Sequence, residues 1–590
     1  MKKAVFATTA ALLIVLLGPA STVAAQGCDI SIVAQPPLVN YPGSSLPSQG
    51  TVAFSEIVNV NYSFAFVNQT IILEYFNGTV WRGLDSFRGN VIGFTEADVG
   101  LDTSWAHQGE NSIRAVSGNC TSPESRFSII SDPPAFTEAI GSYALAGVVL
   151  GLFYFFGKSL GRKKFILLAA GLYLAVAPFT GQRYDVYFLL SSGVRILQHV
   201  NPFDAGNPPV YPGALKWAYP PLYAVYSAFS FALYQLFTGA TLPSVPALTY
   251  PGWATAVYSV WQAYIPPTLP LLVLLLKIPM VVSAIWTGVL VGRMSGDQTL
   301  VVKWVANPLV VLVATVWGQL DPIATLLAVG SIYMFQKGRP YHAYALASFG
   351  AAVKVWPVLL IPILLVVSLR REGGGALKPL LAILPALAVT LALYGAYGNL
   401  VESLSVFVYA RGIPTYAGQF SVNGLTWQQV LFVLKAPPVP MFLVVGIPAY
   451  FAMLGWMYWR RAQDVTKWLT ISILVFFLTY NYVNPQYFYW IIPLLMIRGR
   501  KLATIVFTAL PLIFVALSYN AFYFVSPILL PDQFTFGASI AEQLKVSYFY
   551  GTSTLFILVA GLIPTVVYLV YLFADLRPRR TGSGNMPANV

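Results

Sequence analysis

The sequence predicts a mainly α, polytopic transmembrane helical bundle preceded by a small β-sandwich. Three observations carry this. Of the 590 residues, 57% are hydrophobic and only 9% charged. A typical soluble domain carries about 25% charged residues, so water is not the solvent for most of this surface. From about residue 138, apolar runs of 13–25 residues follow one another, the scale of the ~20 residues a spanning helix needs. Between residues 26 and 134 the runs are short and alternate, the period of a half-buried strand.

Residues 1–25 read as a secretory signal: Lys2 and Lys3, then the apolar run Ala4 to Leu17, then Val23-Ala24-Ala25 before Gln26. The alternative is an uncleaved N-terminal anchor. Residues 26–134 read as an extracellular β-sandwich similar to immunoglobulin-like domains. Its alternating runs include Val58 to Phe64 and Ile71 to Phe76, and Asn77-Gly78 is a strong hairpin signal. Cys28 and Cys120, the only cysteines, fall in this stretch and suit a disulfide on an oxidising face. Two cysteines are too few for a metal site, and no metal or other cofactor is expected. Sequons at Asn61, Asn68, Asn77 and Asn119 agree with an external location. No catalytic cluster stands out here, so a structural or partner-binding role is expected.

Residues 135–575 read as the transmembrane domain. Candidate spans lie near 138–158, 165–180, 218–238, 269–292, 303–318, 322–336, 341–354, 357–369, 377–397, 441–459, 467–481, 487–497, 502–524 and 551–574. The short pair at 341–354 and 357–369 reads as a broken helix pair or cavity wall. The 14 Trp and 35 Tyr suit bilayer interfaces.

The net charge of +13 sits in short clusters between apolar runs: Arg162 to Lys164, Arg370-Arg371, Arg460-Arg461, Arg498 to Lys501 and Arg577 to Arg580. That is the positive-inside pattern and not a nucleic-acid-binding face. It puts the loops at 337–340, 370–378, 460–467 and 498–501 inside, with the basic tail 576–590. Segments 181–217, 399–440, 480–486 and 525–550 then face outside. One parity conflict remains: the spans from Pro220 and Leu269 both begin outside. Either Thr249 to Ile265 also crosses, or 218–238 does not fully span.

The chemistry-bearing residues cluster at these outer segments. Gly181-Gln182-Arg183-Tyr184-Asp185 follows the second apolar run, and a carboxylate at the wet edge of a membrane cavity is placed to take a proton from a hydroxyl. A solvated loop or cap residue is the alternative for Asp185. Residues 187–200 look like an interfacial amphipathic helix, with Arg195 as a lipid-phosphate contact or an interface anchor. His199 reads as a surface or packing residue. Trp317-Gly318-Gln319-Leu320-Asp321-Pro322 offers a juxtamembrane acid that also suits a helix start. Lys354, between two short apolar runs, points to an anionic partner or snorkels to the interface. Lys277 repeats that pattern more weakly. Asn484, Gln486 and Tyr487 could bond a sugar or cap a helix.

Together these segments resemble the GT-C superfamily of polytopic glycosyltransferases, in particular its mannosyltransferase branch with GPI mannosyltransferase I and archaeal relatives. The shared motifs span roughly residues 165–500: Tyr184-Asp185, Asn201-Pro202-Phe203, Tyr219-Pro220-Pro221-Leu222, Asn307-Pro308, Gly318-Gln319-Leu320-Asp321, Lys354 to Pro357 and Asn484-Pro485-Gln486-Tyr487. The resemblance implies a catalytic first external loop and inverting transfer of a hexose from a polyprenyl- or dolichol-phosphate donor. The acceptor would be an external glycan, lipid or protein hydroxyl. Asp185 would be the general base and Asp321 a second acidic site residue. Arg183, Tyr184, Arg195, Lys354, Asn484, Gln486 and Tyr487 would contact substrate.

The chain departs from that family in its sandwich, its extra 138–158 run and its single Asp185 in place of an Asp-x-Asp pair. The absence of a Trp-Trp-Asp-Tyr-Gly run disfavours an oligosaccharyltransferase. The competing readings are a transporter or flippase of lipid-linked sugars and a membrane-anchored adhesion protein. The expected location is the cell membrane, multi-pass, with the sandwich and the active site outside.

Overall fold

The computed structural model describes residues 30–34, 38–39, 52–62, 68–76, 80–88, 94–102, 109–130, 147–148, 151, 153–155, 158–181, 183–199, 220–240, 268–397, 425–427, 441–480, 483–518 and 551–576. The signal, Cys28, most of the loops at 200–219 and 399–440, the 525–550 segment and the basic tail lie outside the described residues.

The N-terminal part is β. Its strands are β1 (Ile30–Ala34), β2 (Leu38–Val39), β3 (Val52–Tyr62), β4 (Thr70–Phe76), β5 (Trp81–Arg88), β6 (Phe94–Asp102), β7 (Gly109–Ser117), β8 (Cys120–Thr121) and β9 (Ser125–Ile130). They form one sheet ordered β1-β3-β6 and a second ordered β2-β9-β7-β4-β5, with β8 on β7. All pairs are antiparallel except β2 with β9. In β4 the alternation has a cause: Ile71, Leu73 and Tyr75 are buried between neighbours while Ile72 faces out. On either side of the expected Asn77-Gly78 turn, which lies outside the described residues, β4 and β5 pair antiparallel with Phe76 opposite Trp81. Arg114 bonds Glu74 at 2.8 Å and lies over the Trp81 ring at 4.1 Å, tying β7, β4 and β5 together on one face. Asn68 and Asn119 are exposed. Cys120 is buried and disulfide-bonded.

The rest is helical: α1 (Arg162–Val176), α2 (Arg183–Leu197), α3 (Leu222–Thr238), α4 (Leu269–Ser295), α5 (Thr299–Val305), α6 (Pro308–Val311), α7 (Asp321–Gln336), α8 (Pro340–Val353), α9 (Leu360–Glu372), α10 (Leu384–Tyr397), α11 (Ile447–Trp459), α12 (Val465–Thr479), α13 (Phe488–Ile497), α14 (Lys501–Ser518) and α15 (Gly551–Leu576). Among the described residues, three helical stretches are long and apolar enough to cross a membrane: Leu269–Ser295, Gly375–Ala396 and Phe442–Trp459. A fourth is the pair Thr299–Val305 and Pro308–Trp317, bent by 52°. Other apolar runs give helices too short to pass that test, among them Val465–Thr479 and Pro485–Ile497, close to the expected runs 467–481 and 487–497.

Prolines and polar caps explain the breaks. Asn307 ends α5 and caps α6, its side-chain oxygen accepting from Leu309 N at 2.9 Å and Val310 N at 3.4 Å. The pair expected at 341–354 and 357–369 is realised as α8 and α9, parted by Lys354 in extended conformation and the 3₁₀ turn Trp356–Leu359. Pro357 cannot supply an amide at that point.

Proline within α4 has another consequence. Pro279 leaves the Leu275 carbonyl without its helical donor, and the Tyr226 hydroxyl donates to it at 2.7 Å. Tyr223 donates to the next carbonyl, Leu276, also at 2.7 Å. Helix α3 thereby completes the backbone of α4, as hydrocarbon surroundings demand. Against α3 lies α2. At Gly193 a Cβ would sit 2.7–2.8 Å from the Ser227 and Ala228 backbone, so only glycine permits this approach.

Candidate functional site

The site grows from three chain breaks that the fold brings together. The first is the start of α2. Asp185 lies in its first turn, as the third residue of the helix and not in the loop before it. It is half-buried, and Oδ2 accepts from Trp317 Nε1 at 2.7 Å and from Gln319 Nε2. Both donors come from the second break, which follows α6. There the helix widens into a π-helical stretch, Leu312–Trp317, and ends at Gly318 with φ 82° and ψ 43°. Gly318 N and Gln319 N both reach the Val313 carbonyl at 3.2 Å. This left-handed turn aims Trp317 and Gln319 at the same carboxylate oxygen.

Gly318 is required twice over. Its φ lies where L side chains are strained, and an added Cβ would meet Lys277 Cε at 2.7 Å. Gly318→Ala is therefore expected to destabilise the protein by about 1–3 kcal/mol. Thermal unfolding of the detergent-solubilised chain would measure it, and an unchanged midpoint would contradict this account of the turn.

Asp321 follows immediately. The sequence suggests an N-cap, but Leu320 holds that position and Asp321 is the first helical residue of α7, ahead of Pro322. Its side chain caps no amide. It accepts from Lys354 Nζ on Oδ2 at 2.6 Å and from Trp490 Nε1 on Oδ1, fully buried. Lys354 belongs to the third break, after α8, where its extended backbone turns the side chain away from helical neighbours. It is buried, so snorkelling to the interface does not describe it. Its ammonium also faces the rings of Tyr487 at 5.3 Å and Trp490 at 5.9 Å. Trp490 is the centre of a stack, with Tyr487 at 4.4 Å and 22° and Trp356 at 5.1 Å and 12°.

Helix α2 is not one of the candidate spans, and its carboxylate has a shifted titration. Burial pushes Asp185 up to about 6. The bond from Trp317, the charge of Lys354 and the bond from Gln319 pull against that, and the Asp321 charge adds to it. Asp185, Asp321 and Lys354 thus act on one another electrostatically.

The remaining expectations divide. Gln486 and Tyr487 are buried in the turn leading to α13. Gln486 Oε1 and Trp356 Nε1 have no hydrogen-bond partner among the described residues. Asn484 precedes that turn without using its side chain as a cap, so helix capping does not account for it. Arg195 is buried and ten residues along α2 from Asp185, about 15 Å of helical rise. An exposed interface anchor does not describe it, and it lies far from the Asp185 carboxylate. Arg183 and Tyr184 occupy the first turn of α2, while their side chains lie outside the described residues. His199 is exposed and ends the helix with φ 58°.

Lys277 corrects its expectation. Among the described residues no anion meets it. It donates to main-chain carbonyls of Thr180 at 2.6 Å, Thr315 at 2.7 Å and Val316 at 3.3 Å. Trp490 was not legible from the sequence as a site residue. The available signal was an indole three residues after Tyr487 on an apolar helix, where a buried N–H needs an acceptor.

Among the described residues no group of three or more His, Cys, Asp and Glu could hold a metal ion. No protein-family model matches the chain, and no curated protein matches it.

Proposed function

We propose that the chain is a membrane glycosyltransferase of the GT-C type, moving a hexose from a polyprenyl-phosphate donor to an acceptor hydroxyl outside the cell. The observation that carries this reading is that one short segment, Trp317 to Asp321, bonds Asp185 through Trp317 and Gln319 and pairs with Lys354 through Asp321, beside the rings of Tyr487, Trp490 and Trp356. An acid with a pKa near neutrality, a buried cation and aromatic rings are what proton abstraction beside a departing phosphate needs.

In the proposed step Asp185 takes the acceptor hydroxyl proton. The acceptor oxygen forms a bond to the anomeric carbon as the bond from that carbon to the phosphate oxygen breaks. Polyprenyl phosphate leaves with the electron pair, and the configuration inverts. Lys354 supplies positive charge to the cluster, and Asp321 with Trp490 fixes where that charge sits. The disulfide-bonded Cys120 and the exposed sequons Asn68 and Asn119 support an outward-facing, immunoglobulin-like sandwich ahead of the bundle.

The test is transfer from defined polyprenyl-phosphate sugars to a panel of acceptors, using the full chain in bilayer discs. Vectorial movement of the lipid-linked sugar in vesicles, with no product formed, would replace this reading with the transporter. The pH profile is a further test. The carboxylate form is the working form, so transfer should be flat above pH 6 and fall about tenfold per unit below it. A profile that rises toward acid pH would exclude Asp185 as the base.

A further inference from the structure

Lys277 is a buried cation that the proposed chemistry does not use. It sits about a third of the way along α4 at 1% exposure. Burying an ammonium costs several kcal/mol unless its donors are satisfied. Here its three N–H donors are shared among four oxygens, which belong to two segments distant in sequence. One is Thr180, whose carbonyl and hydroxyl both accept, three residues before the start of α2. The other is the end of the π-helical stretch, through the carbonyls of Thr315 and Val316.

A lysine at a helix end commonly takes up the last carbonyls, but here one ammonium takes carbonyls from two segments. The single Thr180 hydroxyl proton has two carbonyls in reach, Val176 at 3.0 Å in its own helical turn and Thr315 at 3.2 Å across the junction.

The two segments held by Lys277 are those that meet at Asp185. Five residues beyond Thr180 stands Asp185 itself, and one residue beyond Val316 stands its donor Trp317. One glycine makes room for the lysine: an added Cβ at Gly318 would lie 2.7 Å from Cε, whereas one at Gly181 would meet Val186 Cγ2 at 2.7 Å. We infer that Lys277 is a positioning residue: its ammonium pins the 180–181 and 315–318 backbones together and so sets the contact of Trp317 and Gln319 with Asp185. Its use in catalysis rests on the glycosyltransferase reading, whereas the pinning itself does not.

The test uses hydrogen–deuterium exchange on the full chain in detergent, wild type against Lys277→Met, which keeps the length and removes the donors. Peptides covering 177–190 and 311–320 are expected to exchange roughly tenfold faster, with α8 to α13 unchanged. No change in either segment, or acceleration throughout the bundle, would overturn the inference. If Lys277→Met does not yield folded protein, Lys277→Gln, which keeps a shorter donor, carries the same comparison.

Transfer gives the second readout. Trp317 and Gln319 hold the Asp185 carboxylate down in pKa, so loosening them moves the acid limb of the profile to higher pH. A lowered rate with an unmoved limb marks Lys277 as structural only and overturns the positioning role. If the wild type transfers no sugar, the proposed function fails, while the exchange comparison still decides the pinning.

Discussion

Asp185→Asn is expected to lower sugar transfer by about 10²–10⁴-fold, the usual contribution of a general base, with little loss of folded protein. The geometry makes this a clean substitution. Both donors, Trp317 Nε1 and Gln319 Nε2, converge on Oδ2. An asparagine can place its amide oxygen there and keep both bonds, and it removes only the capacity to take a proton. Because burial raises the Asp185 pKa, the neutral amide also relieves the cost of a desolvated charge. The unfolding midpoint should therefore hold or rise slightly. The measurement pairs a transfer assay with a thermal melt on the same preparation. Near-wild-type transfer would remove Asp185 from the mechanism.

The second large effect belongs to the Lys354–Asp321 pair. Its side chains are 7% and 0% exposed, and Nζ to Oδ2 is 2.6 Å. Removing one member strands the other charge in a dry interior, which typically costs 3–5 kcal/mol. Lys354→Met should lower the unfolding midpoint sharply. Asp321→Asn should do so less, because Trp490 Nε1 keeps an acceptor on the new amide. The double variant Lys354→Met with Asp321→Asn should be more stable than Lys354→Met alone, since no lone charge remains buried. Additive losses in the double variant would mean that the two residues act independently, contrary to the geometry. Transfer should be lost in all three, because the cluster's positive charge goes or loses its anchor.

How much of this was legible in the sequence depended on whether the signal was local. The α8–α9 break could be read at Lys354 because a lysine and Pro357 interrupt an apolar run within a few residues. Strand β4 was legible because its alternation is local too. The start of α2 was read too late, as Gly181 suggested a loop that in fact gives way to helix by Arg183. Span positions such as 269–292 and 441–459 were legible, but the run 303–318 was read as one span, because hydropathy does not register a 52° bend or a π-helical turn that costs no apolar residue. The partners of Asp185 and Asp321 were not legible at all. Trp317 is 132 residues from Asp185, and Trp490 is 169 from Asp321. Lys277 was misread because composition shows a buried cation without showing that backbone oxygens, not an acid, surround it.

The Pro279 gap in α4 bears on how this bundle can move. Its orphaned rung is completed by a phenol from α3, at Tyr226, with Tyr223 on the next oxygen. Sliding α3 past α4 would bare that oxygen to hydrocarbon, at a cost of several kcal/mol. These two helices must then travel as a single strut, and any breathing of the bundle has to take place along seams that share no such stitch.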